Sequence, residues 1–154
     1  ERNKTLLRFL YATGARVSEV CKLCWVDVKP HGDGCVVTIY GKGDKTRHIT
    51  LNAKLYRLLQ ALGPGDPKAP VFVSQKRGPL SSMQVLRIVR AAGERAGIDG
   101  VTPHWLRHCF CSHAQDNGAS PAFVRDVAGH SSLAITSRYT HVRPGQSPCD
   151  FLRV

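Results

Sequence analysis

The segment TPHWLRHCFCSH, residues 102–113, concentrates side chains that could do chemistry. It contains three histidines, two cysteines and one arginine. In a helix that begins after the Thr-Pro pair, four of them are spaced three or four residues apart and share a face: His104, Arg107, His108 and Cys111. Two kinds of site fit such a face. One is a metal site built from His and Cys, and the other is an anion site in which Arg and His hold a phosphate.

A metal site is the weaker interpretation. His104 and His108 have the i, i+4 spacing of zinc hydrolases, but those motifs place a Glu beside the first His, and position 105 is Trp. Arg107 would bring a fixed positive charge next to a dication. Cys21 and Cys24 form a C-x-x-C pair inside a predicted helix, without a second pair of matching spacing. The sequence therefore favours an anion site and no metal.

The charge balance points to a polyanionic partner. The 154 residues include 22 Lys and Arg against 11 Asp and Glu, a net charge of +11. Such a field attracts polyanions and makes binding salt-dependent, so nucleic acid is the expected partner, with a merely basic soluble protein as the alternative. We find no run of 18 apolar residues and no signal-peptide pattern, which predicts a cytoplasmic protein without a membrane partner. The chain opens without a start methionine and resembles a fragment.

The elements that must position these residues form an α+β pattern, a mostly helical domain with a small antiparallel β-sheet. A first helix stops at Gly14, and a second short helix covers residues 15–25. β-branched runs at 35–40 and 46–51 are joined by the Gly-rich GKGD and predict a hairpin, to which VDV at 26–28 adds a third strand. The six cysteines are predicted to be reduced, mostly small apolar fillers.

Capping residues mark the later helices. Asn52 is a plausible N-cap for the helix that follows it, and Ser81 or Ser82 for another. Two more helices carry Pro at their first position, after Thr102 and after Ser120, and the second of these ends at Gly129. We also predict a short strand at 71–74, a final helix that reaches Tyr139, and a tail at 144–150 that is not helical.

Four further segments complete a pattern with the histidine helix. They are YATGARVSEV with Arg16, GKGDKTR with Lys42, GHSS with His130 and SRYTHV with Tyr139. In order, Arg16, Lys42, His104, Arg107, His130 and Tyr139 resemble the catalytic set of the tyrosine recombinases, the phage integrase family that includes the Xer proteins. The order H-x-x-R, then G-H, then Tyr is specific as a set. The resemblance runs from about residue 3 to residue 142.

The resemblance implies a metal-free cleavage of DNA without a nucleotide cofactor. Arg16 and Arg107 would neutralise the non-bridging phosphate oxygens and stabilise the charge of the transition state. Tyr139 would be the nucleophile and would form a covalent 3′-phosphotyrosine. The phosphotyrosine bond would retain the energy of the broken phosphodiester bond, so a 5′-hydroxyl could attack it and rejoin the strand.

The remaining residues of the set would have assisting roles by the same resemblance. Lys42 would protonate the departing 5′-oxygen, His104 would assist proton transfer at the tyrosine, and His130 would hydrogen-bond the phosphate. Glu19 would support Arg16, although an i, i+3 surface pair is the common alternative. His108 would support the site from behind, and a satisfied core histidine is the alternative.

Lys45 and Arg47 flank the hairpin tip, where they could grip the DNA backbone or form a solvated charged turn. The resemblance further implies that residues 1–154 are a catalytic domain acting on double-stranded DNA, with the N-terminal core-binding domain of the family absent. We predict a monomer without DNA and a full-length parent that assembles as a tetramer on paired sites.

Three other functions remain possible at this point. A type IB topoisomerase shares the chemistry, but enzymes of that type usually have Lys where His104 stands. The others are a catalytically silent DNA-binding module, which six filled catalytic positions disfavour, and a zinc-binding interaction module.

Overall fold

The computed structural model describes residues 1–41, 45–129 and 147–152. Helices and a three-stranded sheet alternate in the order α1 (Arg2–Thr13), α2 (Val17–Val20), β1 (Val28–His31), β2 (Gly34–Tyr40), β3 (Thr46–Leu51), α3 (Ala53–Gln60), α4 (Ser82–Arg95), α5 (Pro103–Asp116) and α6 (Pro121–Ala128). Short 3₁₀ turns cover Trp25–Asp27 and Pro148–Phe151. The predicted α+β class, mostly helical with a small antiparallel sheet, is confirmed.

The sheet is antiparallel, in the order β1-β2-β3. Central Val37 pairs with Val28 of β1 and with Ile49 of β3. Because side chains alternate along a strand, one face of β2 carries the buried Cys35, Val37 and Ile39. The predicted hairpin of β2 and β3 is therefore present, with its tip, which contains Lys42, outside the described residues.

Side-chain caps begin the helices where the sequence predicts them. Asn52 Oδ1 accepts the backbone N–H of Leu55 at 3.0 Å, and Ser81 Oγ accepts that of Gln84 at 3.2 Å. The same arrangement begins α5 at Thr102 and α6 at Ser120. Each cap satisfies a backbone donor that the first turn leaves without a partner, so these boundaries are set locally.

The core lies between the sheet and the helices. Leu6, Phe9 and Leu10 of α1 are fully buried, and the Phe9 ring meets the Phe72 ring edge-on, with centroids 5.6 Å apart. Helix α1 packs along α5, so the histidine helix is held against the buried apolar face of α1. α3 covers β2 with the buried Leu55 and Leu59.

Four predicted boundaries differ from the structure. Helix α2 spans only Val17–Val20, because the chain then turns so that Val71 can donate its N–H to Leu23 O. The third strand begins at Val28 and not at residue 26, since Asp27 accepts the Cys24 N–H and closes a 3₁₀ turn. In the predicted strand 71–74, only Val73 pairs, in an isolated bridge with Pro79. The tail, predicted not to be helical, forms a 3₁₀ turn at Pro148–Phe151. The predicted helix ending at Tyr139 lies outside the described residues.

The cysteines are all free thiols, as predicted. Cys35 and Cys149 are buried, and burial raises the pKa of Cys35 to about 12. Such a thiol stays protonated and packs as a small apolar group. Of the helices that the structure describes, none is long and apolar enough to cross a bilayer.

Gly14 ends α1 and is expected to resist substitution. Its φ is +57°, and a Cβ there would overlap the ring of the buried Phe110. Gly32 has a φ of +55° with nothing within 4 Å of its Cβ position, so it is a matched control. We expect Gly32→Ala to cost about 1 kcal/mol of unfolding free energy from the left-handed backbone alone. Gly14→Ala is expected to cost about 2–4 kcal/mol, because overpacking adds to that strain. Urea denaturation measures both, and equal losses would contradict the clash with Phe110.

Candidate active site

Three arginines from distant parts of the chain converge on the C-terminal end of α6. Its last carbonyls have no partner within the helix and lie at the negative end of the helix dipole, so they attract cationic donors. Each of three successive carbonyls accepts a hydrogen bond from a different arginine. The pairs are Arg47 Nε to Val127 O at 2.7 Å, Arg107 Nη1 to Ala128 O at 2.6 Å and Arg16 Nη2 to Gly129 O at 2.9 Å.

Arg107 is the buried member of the three, with only 5% of its surface exposed. Its Nη1 also donates to Gly14 O, so one nitrogen joins the end of α1 to the end of α6. Burial, together with the positive charge of Arg16, lowers the pKa of Arg107. A guanidinium nevertheless stays protonated at neutral pH, and this charge is held rigidly inside the domain.

Arg16 is the outer member, with 40% of its side chain exposed. It stands at the N-cap of α2, directly after the turn at Gly14. Its backbone N–H donates to Glu19 Oε2 at 2.8 Å, and its Nη1 donates to Glu19 Oε1 at 3.1 Å. The side chain is thus held at its base and at its tip while one side faces solvent.

Glu19 is the buried acceptor that joins two of these arginines. Only 4% of its side chain is exposed, and Arg47 donates to it through both Nη1 and Nη2, at 3.0 and 2.8 Å. Burial acts to raise the pKa of Glu19, but the hydrogen bonds from Arg47 and Arg16 outweigh it, so the pKa lies below its usual value. The carboxylate is therefore ionised at neutral pH and linked to both guanidinium groups.

A cleft of about 580 Å³ opens beside this arrangement. Its charged lining residues are Arg16, Glu19, Lys22, Lys45, Arg47, Arg125 and Asp126. Five cations against two anions make the cleft electropositive, and Glu19 is already paired. A cleft of this composition favours an anionic ligand such as a phosphodiester.

His104 and His108 lie together on the outer face of α5. Both are exposed, and their Nε2 atoms are 3.0 Å apart, so one ring donates a hydrogen bond to the other. The alternative of a core histidine is wrong for His108, since the side chain is exposed. The sequence places His104 and Arg107 on one helix face, but Arg107 points inward to the carbonyls at the end of α6 while His104 contacts His108.

The remaining predicted site residues divide into two groups. Lys42, His130 and Tyr139 lie outside the described residues, so their roles stay predictions. Lys45 is exposed and lines the cleft, and its contact with DNA stays a prediction. Arg47 also lines the cleft, but its guanidinium is engaged by Glu19 and Val127 O.

The position of Arg47 carries a signal that sequence reasoning passed over. Residues 47, 49 and 51 of β3 share a face, and Ile49 and Leu51 are buried. An arginine on the apolar face of a strand requires an acidic partner, because a buried charge is costly when unpaired. Period-2 alternation alone could therefore have indicated that Arg47 pairs with an acid.

The zinc interpretation finds no support in residues 1–41, 45–129 and 147–152, where no group of three His, Cys, Asp or Glu side chains could hold a metal ion. Cys21 and Cys24 lie after α2, which ends at Val20, and not within a helix as predicted.

The lowered pKa of Glu19 predicts a pH-dependent contribution to stability. A carboxyl whose pKa is lower in the folded state stabilises the fold above its unfolded pKa, and this contribution is lost as the pH falls through the folded pKa. We expect the difference in unfolding free energy between the wild type and Glu19→Gln to be largest above about pH 5 and to shrink at lower pH. Urea denaturation across this range measures it. Glu94→Gln, an exposed carboxyl on α4, is the control, and a constant Glu19 difference would contradict the prediction.

Sequence and structure comparisons agree on the class of protein. The model of the phage integrase family matches residues 1–146. The tyrosine recombinase XerC of Corynebacterium efficiens is 42% identical over 146 residues, which cover 92% of this chain and 46% of that protein. The tyrosine recombinase XerD of Chlorobaculum tepidum is 39% identical over 150 residues, covering 92% of this chain and 49% of the relative. The chain thus spans about half the length of the curated relatives it matches.

Solved structures show the same fold. The XerH site-specific recombinase in a pre-cleavage complex with its difH substrate superposes with a TM-score of 0.74 at 26% identity, over 85% of this chain and 40% of that one. The XerA recombinase gives a TM-score of 0.70 at 29% identity, over 85% and 54%.

The mixed helical domain with a three-stranded sheet is the fold that this chain shares with these recombinases. The chain belongs to the phage integrase family.

Proposed function

We propose that this chain is the part of a site-specific recombinase that cuts and rejoins double-stranded DNA through a covalent 3′-phosphotyrosyl intermediate on Tyr139. The observation that carries the proposal is the convergence of Arg16 and Arg107 on the end of α6, beside an electropositive cleft. Two fixed guanidinium groups suit the two non-bridging oxygens of a phosphodiester, whose charge grows in the transition state. The relatives that the chain matches are recombinases, which favours strand exchange over type IB topoisomerase activity.

The proposed reaction has one nucleophile and two groups that move protons. The Tyr139 oxygen would attack phosphorus, and the bond from phosphorus to the 5′-oxygen would break. Lys42 would donate a proton to the departing 5′-oxygen, and His104 would assist proton removal from the tyrosine. Rejoining is the reverse attack by a 5′-hydroxyl on the phosphotyrosine, so no external energy source or metal is needed.

Pre-organisation explains why the arginines are anchored to backbone carbonyls. Arg107 commits Nη1 to Gly14 O and Ala128 O, and among the described residues none accepts a hydrogen bond from its Nη2 or Nε, which would be the donors for phosphate. Arg16 is held by Glu19 and Gly129 O and keeps an exposed side toward the cleft. Donors fixed before the substrate arrives need little reorganisation during the reaction, which is where their stabilising effect is greatest.

The proposal is tested by trapping the covalent intermediate. The protein is incubated with a library of nicked duplexes of random sequence. Cleavage close to the nick frees the short fragment that carries the 5′-hydroxyl, so this group is lost and the strand cannot be rejoined. An SDS-resistant protein–DNA adduct is expected, equally in EDTA and in Mg²⁺, with the DNA mapped to Tyr139 by mass spectrometry. No adduct, an adduct that EDTA abolishes, or attachment at another residue would overturn the proposal.

The remaining properties are proposed with the same function. Residues 1–154 would be the catalytic domain, with a core-binding domain elsewhere in the full-length protein completing the grip on DNA. The protein would be cytoplasmic, monomeric without DNA and tetrameric on paired sites. Light scattering of the full-length protein with and without a DNA site distinguishes these states.

A further inference from the structure

Arg47 makes more contacts than a DNA-backbone arginine needs. It extends from β3 on the same strand face as the buried Ile49 and Leu51, and only 13% of its side chain is exposed. Its Nε donates to Val127 O, while Nη1 and Nη2 donate to the two oxygens of Glu19. All three nitrogens of the guanidinium are thus engaged within the protein.

The carboxylate that Arg47 binds is the one that orients Arg16. Glu19 Oε1 accepts from Nη1 of both arginines, at 3.1 Å from Arg16 and 3.0 Å from Arg47. Glu19 Oε2 accepts from the Arg16 backbone and from Arg47 Nη2, both at 2.8 Å. Removing Arg47 would leave Glu19 buried with Arg16 as its partner, so the carboxylate could rotate and Arg16 with it.

Arg47 also fixes the end of α6. Besides the bond to Val127 O, its guanidinium packs on Gly129, where a Cβ would lie 2.9 Å from Nη1 and 3.1 Å from Cζ. Gly129 has a φ of +68°, and its carbonyl oxygen accepts the hydrogen bond from Arg16 Nη2. The same guanidinium therefore contacts the residue that ends α6, which directly precedes His130 in the sequence.

We propose that Arg47 is a positioning residue for DNA strand cleavage, which holds Arg16 through Glu19 and holds the end of α6 at the same time. The inference rests on the proposed function, because it assigns Arg47 to that site. Lysine could keep the charge but could not make two parallel bonds to Glu19 and a third to Val127 O. The rival role, a direct grip on the DNA backbone, requires only the charge.

The two roles predict opposite results for Arg47→Lys. A positioning residue affects the cleavage rate at saturating DNA, where a displacement of about 1 Å costs on the order of 100-fold. We expect Arg47→Lys to slow adduct formation by about that factor in single-turnover assays, with DNA affinity and its salt dependence unchanged. Arg57→Lys, an exposed arginine on α3, is the matched control and is expected to change neither.

Lys45→Ala provides the signature of a backbone contact. Loss of one phosphate contact lowers the slope of log affinity against log salt by about 1. If Arg47→Ala shows this loss of slope while Arg47→Lys retains the saturated cleavage rate, Arg47 is a DNA contact and the inference is overturned.

A third measurement does not depend on activity. Carbon NMR of the Glu19 carboxyl follows its titration. Arg47→Lys is expected to raise the pKa of Glu19, because it removes the bidentate partner that counteracts the effect of burial on this pKa. An unchanged Glu19 titration would overturn the positioning role even if no variant forms an adduct, whereas absence of an adduct in the wild type alone counts against the proposed function. A raised Glu19 pKa with an unchanged cleavage rate at saturating DNA would also overturn the positioning role of Arg47.

The coupling of the two residues gives the last criterion. If Arg47 acts through Glu19, the rate losses of Arg47→Lys and Glu19→Gln are expected to combine less than additively in the double variant. Independent, additive losses would mean that Arg47 acts by another route.

Discussion

Tyr139→Phe is expected to lower covalent adduct formation by at least about 10⁴-fold, to the limit of detection. The change removes only the phenolic oxygen, so the ring and its packing volume remain. A covalent mechanism has no substitute for the attacking atom, and the arginines can stabilise a transition state only if a nucleophile reaches phosphorus. DNA affinity is expected to be retained, because it depends on the cations of the cleft, which the substitution leaves in place.

Tyr40→Phe distinguishes this residue from another candidate nucleophile. Tyr40 is 58% exposed and lines the cleft, so it has both the chemistry and the access to attack a bound phosphate. We expect the adduct to form in Tyr40→Phe and to be lost in Tyr139→Phe. The reverse result would show that the assignment of the nucleophile to Tyr139 is wrong.

Arg107→Lys is expected to affect both stability and catalysis. Arg107 Nη1 bridges Gly14 O and Ala128 O inside the domain, and a lysine ammonium cannot reproduce the planar geometry of these bonds. Weakening buried hydrogen bonds of a charged group costs about 2–4 kcal/mol of unfolding free energy. Loss of a pre-organised donor to the phosphate is expected to slow cleavage by a further factor of about 10²–10³.

The two effects are separated by measuring each directly. Urea denaturation gives the loss of stability, and single-turnover cleavage at a temperature where the variant is folded gives the catalytic loss. Arg57→Lys is the control for exchanging an exposed arginine. A stability equal to that of the control would contradict the bridging role of Arg107, and an unchanged cleavage rate would contradict its role at the phosphate.

Local signals account for most of the fold that could be predicted. Thr102 and Ser120 each precede a proline, and both cap the predicted helix, because a capping hydroxyl and a residue with fixed φ act within one turn. Gly14 and Gly129 end their helices in the left-handed region, as their positions in the pattern indicate. The alternating strands β2 and β3 pair as predicted for the same local reason.

Boundaries set by distant contacts could not be predicted in this way. Helix α2 stops at Val20 because Leu23 O accepts the N–H of Val71, a residue far along the chain. Residues 71–74 have the composition of a strand, but a turn follows them directly, and Val73 forms only an isolated bridge with Pro79 on the far side of that turn. Propensity is a weak preference that such tertiary contacts override.

The sequence by itself determined the residue types of the site, their order and the family to which the chain belongs, because these depend on identity and spacing. Only the tertiary structure decided which environment and which partner each arginine has. Arg107 is buried against carbonyls, Arg16 faces the cleft, and Arg47 is bound to Glu19. The physical reason is that all three bind successive carbonyls at one helix end, and a helix dipole and its unpaired acceptors have no sequence motif of their own.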